Sequence, residues 1–186
     1  MKKLLLITLF VLSIAGINYA QSNNRTDSTI YDFKFYDTKV DQFNMKDLKP
    51  YKGKIMFIDF QFTGCGGCVL YYGNVLKPVK EYFKKSNDVV FIAVSVDDDS
   101  YRWLGSIYRG LQTDESQINL LALGGFKAPI INFVGIDAGY PYPVLFDRNG
   151  KIITKGHKVL LTKGATAEKR IQNVINAIEN AIKEKG

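Results

Sequence analysis

Residues 54–68, KIMFIDFQFTGCGGC, set an apolar run of strand length directly ahead of the chain's only two cysteines, Cys65 and Cys68. The run 54–62 is bounded by Gly53 and Gly64, and its apolar residues occupy positions of both parities. A strand with one wet face would alternate apolar and polar residues. One that is apolar on both sides belongs inside a sheet covered on both faces. The chain therefore has to supply helices to cover the sheet, which points to an α/β layer architecture.

The remaining segments are consistent with that demand. DVVFIAVSV, 88–96, reads as a second buried strand. Between the two runs, Val69, Leu76, Val79 and Phe83 fall on one face at helical spacing, with Gly73 and Pro78 expected to kink or split the helix before Lys85. Asp97 to Ser100 offers N-cap residues for a helix over 101–108, with Gly110 as its stop. INLLAL, 118–123, predicts a weaker strand and APIINFVG, 128–135, a short helix opened by Pro129. PVLFDRNGKIIT, 143–154, predicts a hairpin around Asn149-Gly150, a pair suited to a type I′ turn. A last helix from about Thr166 carries Ile171, Val174, Ile175, Ile178 and Ile182 as its apolar stripe. Residues 30–44 alternate loosely and predict a short N-terminal hairpin.

The first twenty residues read as a secretory signal peptide: Lys2 and Lys3, an apolar stretch from Leu4 to Ile17, and Ala20 at the cut. As a helix that stretch is about 21 Å long, short of the roughly 30 Å of a bilayer core. No later run is long enough to span a membrane. Residues 21–29 are polar and fit a flexible lead-in, leaving 30–186 as one domain. The mature chain is expected to be soluble, exported and periplasmic, in an oxidising compartment. Its formal charge of +7, falling to +5 without Lys2 and Lys3, comes from scattered lysines and not from a basic motif interleaved with aromatics. A nucleic-acid partner is therefore not expected.

Three uses of the cysteines compete. As a staple the pair is weak, because closing about 4 residues gains roughly 2 kcal/mol in the chain-entropy model, against about 3 for a 15-residue loop. As a zinc site it is short of ligands, with only the distant His157 to add. As a redox pair it is well placed. Cys65 falls near a helix N-cap, where backbone N–H groups favour its thiolate, and Cys68 one turn later can reach back.

The chain resembles the thioredoxin superfamily, in its exported TlpA-like redoxin branch, over nearly all of residues 30–186. Four features carry the resemblance: IDFQFTGCGGC; Asp59 six residues before Cys65; FIAVSVDDD; and YPVLFDRNGKII. It implies a thioredoxin-like fold, a central mixed β-sheet flanked by helices, here with an N-terminal β-hairpin extension. It also implies a protein-disulfide oxidoreductase, a reductase or isomerase, in which Cys65 attacks and Cys68 resolves. Asp59 is the candidate base for Cys68. Pro143 corresponds to a cis-proline lying against the disulfide, with Tyr142 and Gly64 as substrate-contacting positions. No cofactor or metal is implied. The implied partners are protein disulfides and a membrane-embedded thiol electron donor.

This chain departs from the family pattern at four places. Gly64 replaces an aromatic, Gln61 a tryptophan, Gly66-Gly67 a proline-containing dipeptide, and Tyr71 an acidic residue. Tyr140 and Tyr142 are candidates to line an apolar groove, whereas Phe62 and Trp103 fit core packing better. Asp97, Asp98 and Asp99 fit capping and a solvated loop. Two rival functions share the fold. A peroxiredoxin requires a threonine three residues before its cysteine, and Thr63 is two before. A copper-delivery module of the Sco type requires wider cysteine spacing and a histidine near the cis-proline.

Overall fold

A computed structural model describes residues 28–38, 45–114, 116–156, 158 and 160–184. The signal peptide, most of the lead-in, Val40, Phe43 and His157 lie outside the described residues. Seven strands form one mixed sheet: β1 (Phe35–Tyr36), β2 (Met45–Lys46), β3 (Ile55–Gln61), β4 (Val89–Ser95), β5 (Ile118–Ala122), β6 (Tyr142–Phe146) and β7 (Ile152–Lys155). Their spatial order is β2-β1-β5-β4-β3-β6-β7. Strands β3, β4 and β5 run parallel, and β6, β7 and the β1–β2 pair add antiparallel edges.

β3 is buried at every position, between β4 and β6. Its two parities feed separate cores, because side chains alternate across a sheet. Met56, Ile58 and Phe60 join Ile92, Val94, Val144 and Phe146 on one face. Ile55 and Phe57 join Val79, Leu145, Val174 and Ile178 on the other. Asp59 and Gln61 continue this second parity, toward the face covered by the helices that carry Tyr71 and Val174.

The helices follow the sequence signals closely. The segment after the cysteines is α1 (Gly66–Tyr71), a π turn (Tyr72–Leu76) and α2 (Lys77–Phe83). Gly73 lies in the π turn and Pro78 just after it, so the expected break takes the form of a π turn within continuous helix. Lys80, buried in α2, ion-pairs with Asp114 at 2.7 Å. α3 (Ser100–Arg109) is capped by Asp99 and stopped by Gly110 in the left-handed region. α4 (Pro129–Val134) begins on Pro129, and α5 (Ala167–Lys183) begins on the Thr166 cap.

Two local expectations shift. The N-terminal hairpin has its second strand at Met45–Lys46, just past the predicted end at residue 44. The 143–154 hairpin turns one residue earlier than an Asn149-Gly150 centre. Gly150 N donates to Asp147 O at 3.0 Å, and the Asp147 carboxylate accepts from Asn149 N and Lys151 N. That clamp centres the turn on Arg148-Asn149 and leaves Gly150 with φ 78°.

α5 covers the second core, so its apolar stripe should carry much of the stability. Ile178, fully buried, is in that stripe. Ile178→Ala is expected to lower the unfolding free energy by about 3 kcal/mol with an unchanged denaturant slope, measured by urea titration. A loss under about 1 kcal/mol would mean that α5 does not close this core.

Candidate active site

The disulfide turn sits where β3 ends. Cys65 and Cys68 are bonded, with Cα atoms 5.2 Å apart. Cys65 is the N-cap of α1, and its Sγ accepts from Cys68 N at 3.0 Å. Cys68 is completely buried and Cys65 is 5% exposed, so the two residues differ in exposure only slightly in the oxidised form. Gly64 has φ 91°, a backbone that side chains rarely adopt, and a Cβ there would lie 3.3 Å from the Arg102 guanidinium. That conformation accounts for glycine at a position where an aromatic was the family expectation.

A polar clamp that the sequence did not reveal holds the approach to Cys65. Asp97, buried at the end of β4, accepts from Thr63 N at 2.9 Å and Thr63 Oγ1 at 2.7 Å. It also accepts from Ser95 Oγ at 2.6 Å. Arg102 Nη2 donates to Thr63 O at 3.1 Å and Gln112 Nε2 to Phe62 O at 3.0 Å. Only Asp99 of the aspartate run caps α3, accepting from Tyr101 N and Arg102 N. The run DDD signalled a cap, but nothing local marked Asp97 as the buried member.

The proline assignment needs correction. The cis peptide is Tyr140–Pro141, and Pro143 lies inside β6 opposite Asp59. The motif YPYP offers two prolines two residues apart, and the choice depends on where β6 starts to pair. Pairing begins at Tyr142, so Pro141 occupies the preceding loop, and a Cβ on Gly67 would touch its Cδ at 3.4 Å. The same shift moves Tyr142 out of the substrate-contacting role. It is buried, and its hydroxyl donates to Gly135 O at 3.2 Å. Tyr140 takes the place beside the site, in an edge-on triangle with Phe62 and the half-exposed Phe126, ring centres 5.4–5.8 Å apart. Trp103 is buried, as its core reading expected.

Asp59 is 1% exposed, and neither of its carboxylate oxygens has a hydrogen-bond partner among the described residues. Burial pushes its carboxyl up to about 8. Gln61 Oε1 and the Tyr71 hydroxyl are likewise buried and unpartnered. Among the described residues, no group of three or more His, Cys, Asp or Glu side chains is placed to hold a metal ion. No described helix is long and apolar enough to cross a membrane.

No family model and no curated protein matches the chain. Solved structures do. The thioredoxin domain of a thiol-disulfide oxidoreductase from Bacteroides vulgatus aligns with TM-score 0.59 at 22% identity, covering 78% of this chain and 91% of its own. A thiol:disulfide interchange protein from Bacteroides sp. aligns with TM-score 0.58 at 24% identity, covering 82% and 88%. A thiol-disulfide oxidoreductase from Bacteroides fragilis aligns with TM-score 0.56 at 16% identity, covering 67% and 89%. The fold is thioredoxin-like.

In this thioredoxin-like fold the carboxyl ends of β3 and β4 carry the disulfide turn and its Asp97 clamp. Two clefts of about 420 and 440 Å³ are both bounded by Pro141, Leu161 and Arg170. Gly67, Leu70 and Tyr71 line the first, Tyr140 and Lys163 the second.

The two buried carboxylates make separable predictions. Asp97→Ala strands the Thr63 N–H and two hydroxyls, and should cost about 3 kcal/mol in urea unfolding. The Thr63 amide should also lose hydrogen-exchange protection; retained protection would mean Asp97 does not anchor the loop. For Asp59, the folded carboxyl near 8 holds its proton where the unfolded chain, near 4, has lost it. Its favourable contribution is complete below about pH 4 and is lost as pH rises toward 8. Against Asp59→Asn, the wild type should lose on the order of a few kcal/mol of stability between pH 5 and 8. A difference that does not change with pH would show that burial has not raised this group.

Proposed function

We propose that the chain is a thiol-disulfide oxidoreductase acting on exported proteins, as a reductase or isomerase. One observation carries the reading: a Cys65–Cys68 disulfide at a helix start, with Cys68 N directed at Cys65 Sγ, 3.0 Å away, beside cis Pro141. In the reduced pair that N–H would favour negative charge on Cys65, the form that attacks. Names borne by structures of the same fold support the reaction class.

The reaction balances as thiol-disulfide exchange. The Cys65 thiolate attacks a substrate disulfide, forms a mixed disulfide and releases one substrate thiolate, which takes a proton from water. Cys68 gives its proton to the Asp59 carboxylate and attacks Cys65 Sγ. The second substrate thiolate leaves and the Cys65–Cys68 bond closes. The substrate gains two electrons and the cysteine pair loses them. A base near 8 is close to the range of a thiol, so the proton transfer is nearly balanced. The apolar triangle of Phe62, Phe126 and Tyr140 and the clefts beside Pro141 offer an extended substrate a place beside the disulfide.

Net reduction requires a thiol donor on the same side of the membrane, for which a membrane-embedded dithiol is the fitting class; isomerisation does not. Export rests on the residues 1–20 pattern. A peroxidatic role fits less well, because the Thr63 hydroxyl is committed to Asp97.

Cys68→Ala keeps the attacker and removes the resolver. In an exporting host it is expected to accumulate as covalent mixed disulfides on a non-reducing gel, while Cys65→Ala traps nothing. Identical behaviour of the two variants, or trapping by Cys65→Ala alone, would overturn the assignment of roles.

A further inference from the structure

Asp59, Gln61 and Tyr71 carry buried polar atoms with no hydrogen-bond partner among the described residues, and all three lie toward one face of the sheet. Asp59 and Gln61 share the parity of Phe57 on β3, and Tyr71 packs in the same core cluster as Phe57. Unpaired buried polar atoms are scarce in folded proteins, since each costs about 1–3 kcal/mol. Tyr71 also responds to its neighbour. Its hydroxyl is pushed well above the usual value of 10, first by burial and then by the Asp59 charge, with Arg170 of α5 acting the other way.

The surroundings leave few competitors. On the strands paired to β3, Asp59 faces Ala93 and Pro143, neither of which titrates. Tyr71 of α1 and Arg170 of α5 are the ionisable groups coupled here, while Cys68 of α1 is held in the disulfide. In the π turn, the Tyr72 hydroxyl is committed to Asp114. One internal water with three polar partners would satisfy three of the four unpartnered atoms. It can accept from the Tyr71 hydroxyl and donate to Gln61 Oε1 and to one Asp59 oxygen, leaving the other oxygen for the Cys68 proton.

We propose that Tyr71 is a positioning residue for Asp59: its hydroxyl, joined to the carboxylate through a shared internal water held by Gln61, stabilises the ionised carboxylate and so sets the pH at which Cys68 is deprotonated. This rests on the reading of Asp59 as the base. The ring of Tyr71 packs against the core and lines the cleft, but a phenylalanine would do that equally well. The hydroxyl is the part that packing does not explain.

The test uses the full reduced protein and 5,5′-dithiobis(2-nitrobenzoate) as the probe disulfide. One thionitrobenzoate leaves when Cys65 attacks and a second when Cys68 resolves, so the two phases separate the steps. Tyr71→Phe should raise the pH midpoint of the second phase by about one unit and leave that of the first in place. In an Asp59→Asn background it should move nothing. A carbon-13 titration of the Asp59 carboxyl, in wild type and Tyr71→Phe, should show the same upward shift. An unmoved midpoint in both measurements, with Asp59→Asn still altering the second phase, overturns the role of Tyr71 alone. A second phase indifferent to Asp59→Asn overturns the base and this proposal with it. A shift that persists in the Asp59→Asn background would mean Tyr71 acts on something other than Asp59.

Discussion

The structure depends on β3 being buried on both faces. A strand of seven residues with no exposed position needs a neighbour on each edge and a covering layer on each side. β4 and β6 supply the edges. α1, α2 and α5 supply one cover, and α4 with the N-terminal segment supplies packing on the other. The end of so constrained a strand is a fixed point in space, and the chain leaves it straight into Thr63, Gly64 and Cys65. The cysteine turn is thereby held at the end of a strand buried along its whole length.

Two carboxylates are buried near that end and are treated oppositely. Asp97 is surrounded by donors from Thr63 and Ser95, so its oxygens are satisfied and it serves as an anchor. Asp59 has no donor among the described residues, so its charged form is penalised and its proton is held to about 8. The same burial makes one a structural clamp and the other a group able to exchange a proton near neutrality. The difference is hydrogen bonding, not depth.

The site also shows how a short shift in register relocates a function. YPYPVLF holds two prolines, and the family resemblance pointed to Pro143 where the cis bond is at Pro141. Once Asp59 pairs with Pro143 in the antiparallel ladder, Pro143 belongs to the strand and Pro141 to the loop. Tyr142 then turns into the core and Tyr140 toward Phe62 and Phe126. A glycine in the left-handed region at Gly64 leaves the position before Cys65 without a side chain.

The sequence by itself determined the elements whose signals are local. β3 and β4 follow from unbroken apolar runs, α5 from its stripe and Thr166 cap, α3 from Asp99 and Gly110, and the disulfide turn from Cys65 and Cys68 at the strand-to-helix junction. Each depends on residues within a few positions of one another. Only the tertiary structure decided which proline adjoins the disulfide, which aspartate of 97–99 is buried, and that Gln112 and Arg102 hold the loop before Cys65. Those outcomes are contacts between segments tens of residues apart. Strand register and helix placement set them, and neither is written in any local period of the chain.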